Sequence, residues 1–251
     1  MLCFGTVLLY NAPHGGEGVS VLESVMTLIL SGTMLVTGTL DKACPQNDPQ
    51  GLLLVNRSWR ISADYVPETR QANVPGQVRR LQPHVAEALE AMYAAAKVEA
   101  GVTLVSVSGY REYDKQVRIY KNKLKSVRGN VEAANAYVAL PGTSEHQTGL
   151  TMDVGQKSLS SDKNLSGSFG GSKGGIWLRD NCWRFGFIIR YQEGWEDITG
   201  YSYEPWHVRY VGIETAKRLH EKNMPLEEFL QMERTAIMLE LIAQGQESEE
   251  E

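Results

Sequence analysis

The feature that most narrows what this 251-residue chain can fold into is a pair of short segments that must meet in space. The first is Ser144-Glu145-His146-Gln147-Thr148-Gly149-Leu150-Thr151-Met152-Asp153, and the second is Tyr203-Glu204-Pro205-Trp206-His207. Two imidazoles and one carboxylate are a common ligand set for a zinc ion that keeps a position open for water. A further Glu beside that water is what metal-assisted hydrolysis requires. To serve this set the chain has to turn tightly at Gly149, so that His146 and Asp153 converge from seven positions apart. Asp153 then belongs on a strand, Leu150 to Val154. The second segment poses a problem, because Glu204 and His207 point to opposite faces of a regular strand. Pro205 cannot donate to a central ladder, so a kink or an edge position is expected there. Trp206 either walls the site or fills core.

Hydrophobic spacing supplies the rest of the frame. Leu52-Leu53-Leu54-Val55 reads as a buried strand. Val85, Ala88, Leu89, Met92, Ala96 and Val98 recur at near-helical intervals, which predicts a helix from Pro83 to Glu99 that Gly101 stops. Val102 to Val107 alternates around β-branched residues and reads as a strand leading into Ser108-Gly109-Tyr110-Arg111. Helices are predicted over Asp114–Lys125 and Val131–Val138. The Ser- and Gly-dense stretch from Ser158 to Gly175 reads as a mobile loop. A helix from Ile176 to Phe185, a strand from Phe187 to Arg190 and helices over Glu214–Glu221 and Pro225–Leu241 complete the pattern. The acidic tail, Glu247 to Glu251, stays hydrated because like charges repel.

These elements divide the chain into an apolar N-terminal segment (1–42), a linker of turn formers (43–50), a principal domain (51–230) and a helical extension with the acidic tail (231–251). A net charge of −5 gives no electrostatic footprint for nucleic acid, which demands a basic stripe. Cys3, Cys44 and Cys182 form no Cys-x-x-Cys pair, and an odd count argues against a disulfide framework. The run from Val19 to Leu40 approaches the ~20 apolar residues that span a bilayer. It carries Glu23 and lacks the basic flank of a secretory signal, so a signal, an anchor and a buried helix all stand open.

Other motifs lead nowhere. Ser160-x-x-Lys163 lies in a loop without a Lys-Thr-Gly partner. Gly167 to Gly175 lacks the Gly-Lys-Ser/Thr ending of a phosphate loop, and there is no His-Glu-x-x-His helix. His14, His84 and His220 read as ordinary core or surface histidines. Arg111, where a buried-looking strand ends, is suited to grip a carboxylate through two parallel hydrogen bonds; a surface salt bridge is the plainer alternative.

Taken as an ordered set, Ser108-Gly109-Tyr110-Arg111, Gln116, the Ser144–Asp153 segment and Tyr203 to Gly212 closely resemble the VanY-like D-alanyl-D-alanine carboxypeptidases, zinc peptidases grouped with lysostaphin-type enzymes and hedgehog domains. The likeness runs from about Gly51 to Leu230 and includes Phe185–Tyr191, Glu196–Tyr201, Leu54–Asn56 and Asp64–Pro67. It implies an α+β fold with a small antiparallel sheet carrying one zinc ion per chain, flanked by helices. His146, Asp153 and His207 would be the ligands and Glu204 the general base. Arg111 would bind the terminal carboxylate or polarise the scissile carbonyl, while Gln116 and Ser144 orient the peptide. The implied substrate is a peptidoglycan stem peptide ending in D-Ala-D-Ala, with D,D-dipeptidase, wall endopeptidase and non-catalytic wall-binding zinc module as alternatives. Such a substrate places the enzyme in the cell envelope, exported or anchored through the N-terminal segment, with a cytoplasmic location as the alternative. Two departures stand out: Thr151 where the family favours a small residue, and Glu112, whose charge beside Arg111 would weaken carboxylate capture.

Overall fold

A computed structural model describes the backbone of residues 38–40 and 52–247. The apolar run from Val19 therefore lies outside the described residues except for its last three, as do the 43–50 linker and the end of the acidic tail. In chain order the strands and helices are β1 (Gly38–Leu40), β2 (Trp59–Ile61), β3 (Arg70–Gln71), β4 (Arg80–Leu81), α1 (Pro83–Ala100), β5 (Leu104–Ser108), α2 (Tyr113–Ser126) and α3 (Val131–Asn135). There follow β6 (Thr151–Gln156), α4 (Ser161–Asn164), α5 (Lys173–Asn181), β7 (Phe187–Tyr191), α6 (Glu196–Thr199), β8 (Glu204–Tyr210), α7 (Ile213–Lys222) and α8 (Leu226–Glu247). This is the α+β arrangement expected. No helix among the described residues is long and apolar enough to cross a membrane.

The centre is a four-stranded antiparallel sheet in the order β5-β6-β8-β7. Side chains alternate between faces along a strand, and the two faces differ in kind. Leu104, Met152, Val154, Ile189 and Val208 pack against Val85, Leu89 and Met92 of α1 and Leu178 of α5, forming the main apolar core. The opposite face carries Asp153, His207, Arg190 and Arg209, all buried. At the end of that face a second core joins Leu54, Ile188 and Val211 to Leu219, Leu226 and Phe229 of the last two helices.

The helix predicted over Val131–Val138 ends at Asn135, and two predicted elements differ in kind. Leu52–Val55 forms no strand. Its residues are held by other partners: Arg209 donates to the Leu53 carbonyl at 2.5 Å, Leu54 enters the second core, and the Asn56 side chain accepts from the backbone of Ser58 and Trp59. The Ser158–Gly175 stretch is folded, with α4, a 3₁₀ turn at Gly167–Gly171 and the first turns of α5. Phe169 anchors it, fully buried in the main core. The Ser172 side chain accepts from the backbone N–H of Gly175 and caps α5. Glycine serves close packing here, because a Cβ on Gly175 would lie 2.1 Å from the Phe169 carbonyl oxygen. Gly175→Ala should thus destabilise the fold by roughly 2–3 kcal/mol, the cost of overpacking a core, read as a lowered urea midpoint. An unchanged midpoint would mean that the turn yields freely.

Candidate metal centre and active site

The sheet register assembles the site. Asp153 and His207 are direct partners across β6 and β8, which places their side chains together on one face. Gly149 adopts φ +71°, and the preceding 3₁₀ turn, Glu145–Thr148, brings His146 over Asp153. That turn is stitched to the Ser-Gly-Tyr-Arg segment: the Arg111 backbone N–H donates to the His146 carbonyl at 3.0 Å, and His146 Nδ1 lies 2.9 Å from the Gly109 carbonyl. The Pro205 problem is solved by a bulge. Ile189 pairs with Val208 and Tyr191 with Glu204, so β8 spends four residues where β7 spends two. The expected kink sits in a central strand, not at an edge, and bulges of this kind re-aim side chains beside active sites. Glu204 Oε2 comes within 3.7 Å of His207 Nδ1.

Hydrogen bonds fix which ring nitrogens face the centre. His146 gives Nδ1–H to Gly109 and presents Nε2, 3.3 Å from Asp153 Oδ2. His207 gives Nε2–H to the Glu145 carboxylate at 3.3 Å and presents Nδ1, 3.2 Å from Asp153 Oδ1. Asp153 Oδ1 is buried and accepts no well-formed hydrogen bond. Three potential ligand atoms, one from each of His146, Asp153 and His207, thus lie within 4.8 Å of one another. Such a convergence calls for a cation, and a nitrogen–nitrogen–oxygen donor set suits zinc. A metal-bound His whose other nitrogen is tied to a carbonyl or carboxylate is the usual arrangement.

The charges agree. Burial alone would raise the Asp153 carboxyl, but His146 and His207 hold it far below the usual range. Burial disfavours charge on both rings. For His146, with Arg111 adding to the effect, the pKa falls. For His207, the Asp153 and Glu145 carboxylates beside its two nitrogens win and push it up to about 9. In the metal-free protein at pH 7 His207 therefore holds a proton where a cation would sit. Metal uptake should release about one proton per ion, and affinity should rise with pH up to about 9. Calorimetry in buffers of different ionisation enthalpy measures this; uptake without proton release would contradict the ligand assignment. Glu204 differs again: burial raises its pKa to about 7, against the pull of His207.

Arg111 faces the same cavity, its pKa lowered by burial, with the Asp153 and Glu204 carboxylates opposing that fall. Its Nη1 donates to Gln116 Oε1 and its Nη2 to Ser108 Oγ, both at 2.9 Å. Gln116 in turn donates to the Ala139 carbonyl. Both ends of the Gln116 amide are thus engaged, so it positions Arg111. Ser144 lines the cavity. Glu112 is exposed, and the carboxylates that act on the Arg111 charge are Asp153 and Glu204. Thr151 is buried, with its hydroxyl 3.5 Å from Glu145. Trp206 does both things expected of it, lining the cavity and packing against core.

Sequence reasoning assigned nothing to a buried ionic cluster behind His207. Glu145, fully enclosed, accepts from Arg190 Nε and Arg209 Nη1, each at 2.8 Å. Burial would raise its pKa, yet the two guanidiniums hold it well below the usual carboxylate range. Arg190 also pairs with Glu227 at the start of α8. An arginine inside the otherwise uncharged strand β7, with a second in β8, was the available signal.

Comparison with known proteins agrees with this geometry. The family model described as VanY, D-alanyl-D-alanine carboxypeptidase, matches residues 78–213. A D-alanyl-D-alanine carboxypeptidase of Enterococcus faecalis is 36% identical over 232 residues, covering 89% of this chain and 78% of the relative. The solved LdcB LD-carboxypeptidase superposes with a TM-score of 0.67 at 42% identity, over 73% of this chain and 87% of that one. The vancomycin-resistance D,D-pentapeptidase VanY, solved as a variant in complex with Zn(II), superposes with a TM-score of 0.61 at 36% identity, over 72% and 99%. With the fold, the ordered motifs and the donor set all in agreement, this chain belongs to the VanY family of D-alanyl-D-alanine carboxypeptidases.

Proposed function

We propose that this protein is a zinc-dependent D-alanyl-D-alanine carboxypeptidase that removes the C-terminal D-Ala of peptidoglycan stem peptides. The observation that carries the reading is the convergence of His146 Nε2, Asp153 and His207 Nδ1 beside a carboxylate that holds none of those three positions, Glu204. When bound at the three, zinc polarises the scissile carbonyl and makes water at neutral pH a competent nucleophile.

The remaining work falls to the chain's own groups. Glu204, close to neutrality in its pKa, takes the proton of the attacking water and returns it to the departing amine. Arg111 has N–H groups left over after serving Gln116 and Ser108. They are available to the substrate's terminal carboxylate or to the carbonyl oxygen as it gains charge. Tyr191, its ring 4.7 Å from that of His207, and Trp206 limit water access.

The cavity also speaks against the dipeptidase alternative. It measures about 260 Å³, and its lining carboxylates among the described residues are Glu145, Asp153 and Glu204. Glu145 is committed to two arginines, Asp153 to the metal position and Glu204 to proton transfer. A dipeptidase must capture a free ammonium, and no carboxylate remains for it. A longer peptide needs only a way out, which the mouth at Ile119, Tyr137 and Leu165 provides. The 42% identity to an LD-carboxypeptidase favours testing one further bond type. Zinc-loaded enzyme should release D-Ala faster from a pentapeptide ending in D-Ala-D-Ala than from the tetrapeptide that remains, and should leave free D-Ala-D-Ala intact. Cleavage of the tetrapeptide alone would reassign the enzyme to L,D bonds. The substrate class also supports an envelope location, with the 19–40 segment as signal or anchor; cell fractionation recovering the protein only in cytosol would oppose it.

A further inference from the structure

Helix α2 stands out by charge. From Lys115 to Val131 the chain carries Lys115, Arg118, Lys121, Lys123, Lys125 and Arg128 and no carboxylate, in a protein of net charge −5. Glu112 and Asp114 precede the run and Glu132 follows it. Among the described residues none of the six cations forms an ion pair. Most of the helix's charge points to solvent, the usual place for it. Lys123 does not. Residues three, four and seven apart share a helix face, so Lys123 lies on the face of Gln116 and Ile119, both of which line the active-site cavity. Its ammonium sits 4.3 Å from the centre of the Tyr137 ring, and Tyr137, 70% exposed, forms the cavity mouth.

Resting on the carboxypeptidase reading, we propose that Lys123, held over Tyr137, determines specificity for substrates that carry an acidic side chain upstream of the scissile bond. The spacing fits. Lys123 is seven residues along the helix from Gln116, the residue that holds Arg111, about 10 Å at a rise of 1.5 Å per residue. In an extended peptide, an acidic side chain three residues before the terminal one lies about 10 Å from the terminal carboxylate that Arg111 would hold. The other cations of α2 add a positive field that draws the same peptide to the mouth, an effect screened beyond about 8 Å at physiological salt.

The test uses the full-length zinc-loaded enzyme and two pentapeptides ending in D-Ala-D-Ala, one with glutamate and one with glutamine at the second residue. Wild type should favour the glutamate peptide in kcat/KM, chiefly through KM, and the preference should shrink as salt rises. Lys123→Gln should lower the glutamate-to-glutamine ratio of kcat/KM about fivefold or more, and Lys123→Arg should restore it. Lys121→Gln/Lys125→Gln, on the far side of the helix, should lower it less. A ratio near one in wild type, or one unchanged in Lys123→Gln, would overturn the inference, as would α2-dependent binding to anionic phospholipid vesicles with no change in the ratio. If neither peptide is cut, the carboxypeptidase reading itself fails.

Discussion

Glu204→Gln should lower kcat for D-alanine release by about 10³-fold, within the range that removal of a positioned general base produces, while one zinc ion per chain stays bound. The expectation follows from position. Glu204 reaches within 3.7 Å of His207 Nδ1, yet the three atoms that converge as ligands come from His146, Asp153 and His207. A fall of less than tenfold in single-turnover experiments would remove Glu204 from the role of base. Loss of zinc along with activity would make it a ligand instead.

The same variant carries a stability signature. Because the folded-state pKa of Glu204 is raised to about 7 from 4.5 by burial, its ionisation costs stability in the metal-free protein. That cost is absent below about pH 4.5 and grows as pH rises to about 7. Glu204→Gln should therefore stabilise metal-free enzyme at pH 8 by at most about 3 kcal/mol and at pH 5 by less than about 1 kcal/mol. Thermal melts at the two pH values would show it. An equal shift at both would indicate a packing effect with no electrostatic origin.

Glu145→Gln is expected to be the most damaging change to the fold that leaves every ligand in place. Glu145 is fully enclosed with two arginines on one of its oxygens and His207 on the other. Breaking a buried ionic cluster by removing one partner costs about 3–5 kcal/mol, because the charges left behind have lost their compensation. Glu227 still serves Arg190, so the loss should lie toward the lower end. The second effect is on the metal. His207 Nε2–H loses its carboxylate acceptor, and such a loss typically weakens metal binding 10- to 100-fold. Urea denaturation and competitive zinc titration measure the two effects. A variant as stable as wild type, with unaltered zinc affinity, would show that the cluster neither holds the sheet face together nor orients His207.

What could be read from sequence, and what could not, divides along physical lines. His146, Asp153, Glu204 and His207 were legible because their spacing around Gly149 and Pro205 has a chemical meaning. The long amphipathic helices were legible because burial of one face leaves a period; α1 and α2 fall within a residue or two of expectation. The bulge in β8 was visible only as a conflict between two alternating positions and a proline, since a single strand does not reveal its partner's register. The Glu145–Arg190–Arg209 cluster was missed because local pattern treats charge as a mark of exposure, and only the assembled sheet shows both arginines entering one face. The Ser158–Gly175 stretch was misjudged for the opposite reason. Its glycines looked like freedom, while Phe169 and the close approach at Gly175 make them a packing requirement.

Cutting a terminal D-Ala bond should require both the zinc ion that His146, Asp153 and His207 are placed to hold and the Glu204 carboxylate beside it. Mass-resolved product analysis of a muramyl pentapeptide, incubated with metal-free enzyme, with zinc-restored enzyme and with zinc-loaded Glu204→Gln, measures both requirements. A single mass loss corresponding to one D-alanine is expected with the restored enzyme and should be essentially absent in the other two. Release of D-alanine by metal-free protein, or by Glu204→Gln at the wild-type rate, would contradict that expectation.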